Sequence, residues 1–190
     1  TTGRKIAANK LPIDVGCIVL NSTTIAELGA FLRTGMPLIE KCVTVEGGAV
    51  KQPQNVIAPI GTPLNVLFDF CGGLKEDPAK IIYGGPMMGI TVTNADVPVL
   101  KNTNAVLALT KKEAKLPKTT ACIRCGACVN TCPFSLAPVN IAEAYAKEDT
   151  QLLNELSVMS CMECGCCSFV CPANRPLVQI NKLSKNLLRN

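Results

Sequence analysis

Apolar residues recur at different spacings along this chain, and the changes divide it. Asp14 to Leu20 (DVGCIVL) is a short apolar run of the kind used by a buried strand. Thr24 can then cap a helix over residues 25–33, with Gly35 just past its end and Pro37 blocking continuation. Residues 41–109 read as a compact β-rich unit. KCVTVEG and NVIAPI predict strands, and Gly47-Gly48 predicts a hairpin turn before AVKQP. GTPLNVLFDFCGG predicts a helix with Thr62 as N-cap, Pro63 at the first helical position and Gly72-Gly73 at the C-terminus. KIIYGG, ITVTNADVPVL and NAVLAL follow as strand-like runs. Strand, strand, helix, strand, strand is the order of a β-grasp fold, although other small α+β units share it.

KKEAKLPKTT (111–120) is charged and holds a proline, as a linker does. Beyond it the period becomes helical. Ile141, Ala144, Tyr145, Leu152, Leu153, Leu156 and Met159 fit two helices with a break near Asp149-Thr150. Leu177, Ile180, Leu183 and Leu187 fit another. The predicted fold class is α+β: a β-grasp unit followed by an α-helical unit.

The helical half carries one line written twice: CIRCGACVNTCP (122–133) and CMECGCCSFVCP (161–172). Each is C-x₂-C-x₂-C-x₃-C-P, the run by which bacterial ferredoxins hold four-iron clusters. Three cysteines two residues apart can meet three corners of a cubane from one tight loop. The fourth opens a helix, where proline needs no N–H. In two-cluster ferredoxins that fourth cysteine serves the other cluster. The expected ligands are Cys122, Cys125, Cys128 and Cys171 for one [4Fe-4S] cluster, and Cys161, Cys164, Cys167 and Cys132 for the second. Zinc is the competing reading, but four-cysteine zinc sites pair two C-x₂-C knuckles. Cys166 reads as a small residue beside the cluster or as an alternative ligand. Cys17, Cys42 and Cys71 read as core residues. GGPMMG (84–89) is either a loop that lets a partner approach or a turn with its methionines packed beneath.

Composition narrows the alternatives. The 190 residues are 48% hydrophobic but only 4% aromatic, so Val, Ile, Leu and Ala must fill the core. Twelve cysteines without a secretory signal favour metal or redox chemistry over disulfides. No histidine is present, which removes His general bases, Cys-His zinc sites, Rieske centres and His-ligated haem. The net charge of +5 is scattered and not clustered, so no nucleic-acid partner is expected. No run is long and apolar enough for a membrane helix, so membrane association would come through partners. The opening Thr1-Thr2-Gly3 reads as the start of a piece of a longer protein.

CIRCGACVNTCP, CMECGCCSFVCPANRPLVQ, KIIYGGPMMG, VTVEGGAV and PIGTP together resemble the C subunits of the Rnf complex, a ferredoxin:NAD oxidoreductase. The resemblance implies three parts: 1–40 as the end of a flavin- and NADH-binding domain, 41–109 as a soluble-ligand-binding β-grasp domain, and, after a linker at 110–119, 120–190 as an α-helical two-cluster domain. It implies electron transfer through two [4Fe-4S] clusters, other Rnf subunits as partners, and a peripheral position at the cytoplasmic face of the cell membrane. FMN and NADH would belong to the intact protein only, with Asn21 and Thr24 near the flavin, although Asn21-x-x-Thr24 reads first as a helix cap. The glycine-rich cradle for those cofactors is missing from this chain, which alone is not expected to oxidise NADH. Cobalamin reductases and other soluble carriers resemble the same template. A metal-stapled docking module is the reading from another class.

Overall fold

The computed structural model describes residues 2–7 and 10–189. The chain forms two compact units, one running to Lys115 and the other starting at Leu116. The first contains one five-stranded mixed sheet; the second is helical.

In the first unit β1 (Glu40–Glu46) alternates as a half-buried strand must, with Val43 and Val45 inward and Cys42 outward and exposed. Cys42 is therefore not a core residue, whereas Cys71 is completely buried. β2 (Gln54–Pro59) returns antiparallel to β1, pairing Val56 with Val43. β5 (Ala105–Leu109) lies parallel to β1 on its other side. β3 (Lys80–Tyr83) runs antiparallel to β5, and β4 (Ile90–Val92) closes the edge, giving the order β2-β1-β5-β3-β4. Helix α2 (Leu64–Phe70) buries Leu64, Leu67 and Phe68 in one core with Val43, Val45, Val50, Val56 and Val106. Each such side chain contributes about 1.5–3 kcal/mol by leaving water.

Several local expectations changed through contacts distant in sequence. Pro63, not Thr62, is the N-cap of α2, and no side chain caps it. The orphan N–H groups of Leu64 and Asn65 instead donate to the carbonyls of Val97 and Ala95, at 3.1 and 3.0 Å. The same strap cuts the predicted strand over 90–100 to three residues, because Val99 and Thr62 also bond at 2.8 Å. Gly47-Gly48 does not lead straight into the returning strand: AVKQP turns towards Leu74 and Gly73, and pairing with β1 starts at Gln54. Gly47 is nonetheless obligatory. Its φ is +113°, and a Cβ there would fall 2.1 Å from the Ala108 carbonyl oxygen. The Met87 and Met88 side chains are about half exposed and not packed beneath their turn.

The segment before β1 holds no buried residue among those described. Pro12–Val15 is a 3₁₀ turn, and Ile18, Val19 and Leu20 are exposed; the predicted strand has no pairing partner among the described residues. Cys17, expected in a core, is only half-buried there. Helix α1 (Ser22–Thr34) starts earlier than expected because Asn21, not Thr24, caps it, its Oδ1 accepting from the Thr23 N–H at 2.9 Å. Gly35 ends it at φ +69°. Residues 111–115, expected within a linker, fold back on the sheet unit. The Glu113 carboxylate accepts from Gly48 N (3.1 Å), Thr110 N (2.9 Å) and Thr110 Oγ1 (3.0 Å). Those bonds, led by Thr110, hold its pKa below the usual carboxylate range.

The second unit contains α3 (Ala127–Asn130), α4 (Pro138–Ala146), α5 (Thr150–Glu155), α6 (Cys166–Phe169) and α7 (Leu177–Arg189). The predicted break before Thr150 exists: the Asp149 carboxylate caps α5 by accepting from Leu152 N at 2.9 Å. α4 packs along α7. Two small apolar clusters form, one around Ile141, Leu153 and Val158, the other around Ala142, Cys167 and Leu177.

Candidate metal centres

The written-twice line folds twice the same way. Arg124 and Glu163, each two residues after the first cysteine of its motif, both have left-handed backbone, with φ of 54° and 60°. Gly126 and Gly165 follow at 75° and 83°, and each opens a four-residue helix. Ser135 and Asn174, after the two prolines, repeat the pattern at 54° and 50°. The left-handed residue curls each loop so that its own N–H faces the first sulfur: Arg124 N to Cys122 Sγ and Glu163 N to Cys161 Sγ, both 3.4 Å. Non-glycine residues avoid this conformation unless their surroundings enforce it. Two loops sharing it at matching positions, each aiming an amide at a thiol, suit a sulfur-ligated group.

The thiols gather in two sets, and each set crosses motifs. A cavity of about 280 Å³ is lined by Cys122, Cys125, Cys128 and Cys171, with Ile123, Val139 and Leu177 supplying apolar wall and Arg124, Glu143 and Arg175 the polar part. A tighter cavity of about 20 Å³ is lined by Cys161, Cys164, Cys166, Cys167 and Cys132, with Phe134, Leu136, Met162 and Asn181. Among the described residues, no three thiols, histidines or carboxylates converge tightly enough to hold a single metal ion. A tetrahedral zinc site needs sulfurs within about 2.3 Å of one centre. Thiols spread around the larger cavity suit a bigger inorganic core.

The environment favours the protonated form of several of these thiols until a metal arrives. Burial pushes Cys167 up to about 11, with the neighbouring Cys161 adding to it. Burial also raises Cys128. Cys166 is raised chiefly by its hydrogen bond with Cys164, and it joins the second set without a counterpart in the first. Ligation of a metal by these thiols therefore releases protons. Of the hydrophobic residues flanking the motifs, Ile123 and Phe134 line the cavities, whereas Phe169 points away and is 81% exposed.

Two residues of the second site escape a reading of the apolar pattern. Asn181 and Lys185 lie on the buried face of α7. The Asn181 Nδ2 donates to Cys161 Sγ at 3.5 Å. The Lys185 ammonium donates to the Cys161 carbonyl and, at 2.9 Å, to the Glu163 carboxylate. Counting from the buried Leu177, helical spacing brings residues 181, 184 and 185 to the same face; that was the available signal.

Asn21 and Thr24 lie elsewhere, both on a groove of about 600 Å³ that also includes Phe31, Lys41, Lys101 and Asn104.

Comparison with known proteins finds a different family in each of the two units. Residues 42–91 match the SLBB domain family and residues 118–175 match the 4Fe-4S dicluster domain family. The chain thus combines an SLBB domain with a domain of the 4Fe-4S dicluster family. It is 42% identical over 160 residues to the C subunit of the proton-translocating ferredoxin:NAD(+) oxidoreductase complex of Clostridium ljungdahlii, covering 80% of this chain and 35% of the relative. It is 44% identical over 142 residues to the C subunit of the Na(+)-translocating ferredoxin:NAD(+) oxidoreductase complex of Acetobacterium woodii, covering 75% and 32%. To the C subunit of the ion-translocating oxidoreductase complex of Rhodobacter capsulatus it is 44% identical over 187 residues, covering 98% and 36%. The chain belongs to the C-subunit family of the Rnf complexes and spans about a third of the length of these relatives.

Proposed function

We propose that this chain is the electron-carrying portion of an Rnf C subunit, with two [4Fe-4S] clusters as its carriers. The observation that supports it best is the crossed gathering of thiols, Cys171 with the first motif and Cys132 with the second. In this reading Cys122, Cys125, Cys128 and Cys171 ligate one cluster, and Cys161, Cys164, Cys167 and Cys132 the other. Clusters of this type take up and release single electrons. The chain's own contribution is to hold them close together through the exchanged ligands. Amides of Arg124 and Glu163 stabilise thiolate charge, and Ile123, Val139, Phe134 and Leu136 limit water.

The finer assignments follow. The sheet order β2-β1-β5-β3-β4, with its parallel central pair and α2 packed on the core, supports a β-grasp domain at 41–109. The cluster domain is 120–190, joined through 110–119. Residues 1–40 belong with a flavin- and NADH-binding domain of the intact protein, where the groove holding Asn21 and Thr24 would face FMN, with Lys41 and Lys101 available to an anionic group. No described helix is long and apolar enough to cross a membrane, so a peripheral position at the cytoplasmic membrane face would be reached through partner subunits.

Iron and acid-labile sulfide measured on anaerobically prepared protein test the reading. About eight of each per chain, reducible reversibly, is the expected result. Zinc without sulfide, even after anaerobic reconstitution, would leave a metal-stapled docking module instead.

A further inference from the structure

We propose that Asn181 and Lys185 of α7 set the reduction potential of the cluster held by Cys161, Cys164, Cys167 and Cys132, raising it while leaving the other cluster untouched. The proposal rests on the two-cluster reading above.

The two sites share a backbone but not a set of second-layer donors. Both first cysteines receive one amide, from Arg124 and from Glu163. Only Cys161 also receives a side-chain donor among the described residues, the Asn181 amide at 3.5 Å. Asn181 is 2% exposed and lines the second cavity. Its Oδ1 is the one buried side-chain nitrogen or oxygen among the described residues that lacks a partner. A buried amide that satisfies only its donor end is poorly suited to be packing. It does suit a thiolate, which accepts and cannot donate, and that chemistry fixes Nδ2 towards the sulfur. A hydrogen bond to a ligating sulfur draws off negative charge and favours the reduced, more negative cluster.

Lys185 acts in the same direction by charge. Its side chain is 10% exposed and sits on the Cys161 carbonyl. Glu163, its partner at 2.9 Å, is shared with Lys182 at 3.9 Å, so the group retains one net positive charge. At the first site the side chains of the Arg124–Glu143 pair, 3.7 Å apart, are 82% and 52% exposed, and Arg175 is half-buried on the cavity wall without a described hydrogen bond to a cysteine of that site. Water and salt screen exposed charges far more than buried ones.

Lys185 could instead be a staple for the second loop, and the test separates the two roles. The whole chain is reconstituted anaerobically as wild type, Lys185→Met, Lys185→Arg, Asn181→Leu and Asn181→Asp. Iron, sulfide and the midpoint potentials of both clusters, followed by EPR during redox titration, are recorded. The expected result is about eight iron and sulfide in each variant. One potential should fall in Lys185→Met, in Asn181→Leu and further in Asn181→Asp, the other should stay constant, and Lys185→Arg should restore the wild-type value. Full iron with both potentials unmoved in Lys185→Met and Asn181→Leu overturns the proposal. If Lys185→Met loses its clusters, the Asn181 pair decides: an unchanged potential there overturns it, and a fall from Leu to Asp carries it. Zinc without sulfide in the wild type overturns the two-cluster reading itself, before any variant is compared.

Discussion

Single side chains in this protein owe their roles to what surrounds them more than to their type. Glu113 is exposed, yet three donors hold its carboxylate ionised below the ordinary carboxylate value of 4.5. A carboxyl with a depressed folded pKa stabilises above its unfolded value, and that contribution is lost as pH falls through the folded one. The amide NMR shifts of Gly48 and Thr110 should therefore titrate together below pH 4.5 and stay flat in Glu113→Gln; a common midpoint at or above 4.5 would refute the bonds. Phe68 shows the opposite case, a side chain whose value is burial. It is 2% exposed within the sheet unit's core. Phe68→Ala should cost about 3–5 kcal/mol, read as a shift in that unit's denaturation midpoint.

Helices and loops carry the proposed electron chemistry. The short helices α3 and α6 each start at a left-handed glycine and deliver the third cysteine of a motif. Beyond α6 the chain turns towards α7, whose Val178 N–H donates to Ser168 Oγ at 2.9 Å. Because Cys171 lines the first cavity, Cys171→Ala should abolish the EPR signal of the cluster on Cys122, Cys125 and Cys128, and Cys132→Ala that of the other. Loss of the cluster on a variant's own motif would show that the ligands are not exchanged.

The two units differ in what stabilises them. The sheet unit has a continuous aliphatic core around Val43, Val45, Leu64, Leu67, Phe68 and Val106. The helical unit has two small clusters, with Cys132 and Cys161 packed against one and Cys128 and Cys171 against the other. Removing iron with oxidant and chelator should therefore collapse the protection of α4 and α7 amides against hydrogen exchange, while β1 and β5 amides remain protected. Equal loss in both units would contradict a metal-dependent helical half.

Cysteine spacing marks the eight proposed ligands, because three of each four sit in one short local loop; the exchange of the fourth was expected from two-cluster ferredoxins, and the placing of Cys171 and Cys132 on the opposite cavities supports it. The helix over 64–70 and the break near Asp149 were legible for a similar reason: apolar period and proline or glycine punctuation act within a few residues. The rest depended on partners far away in sequence. Ile18 to Leu20 look like a strand but have none beside them among the described residues, the 94–99 strap took over the capping expected of Thr62, and Cys42 lies on the outer face of a strand whose inner face only the sheet defines. Asn181 and Lys185 are ordinary polar letters until α7 packs and brings them to Cys161. Local geometry is written in neighbouring residues; burial and second-layer contacts arise only when distant segments meet.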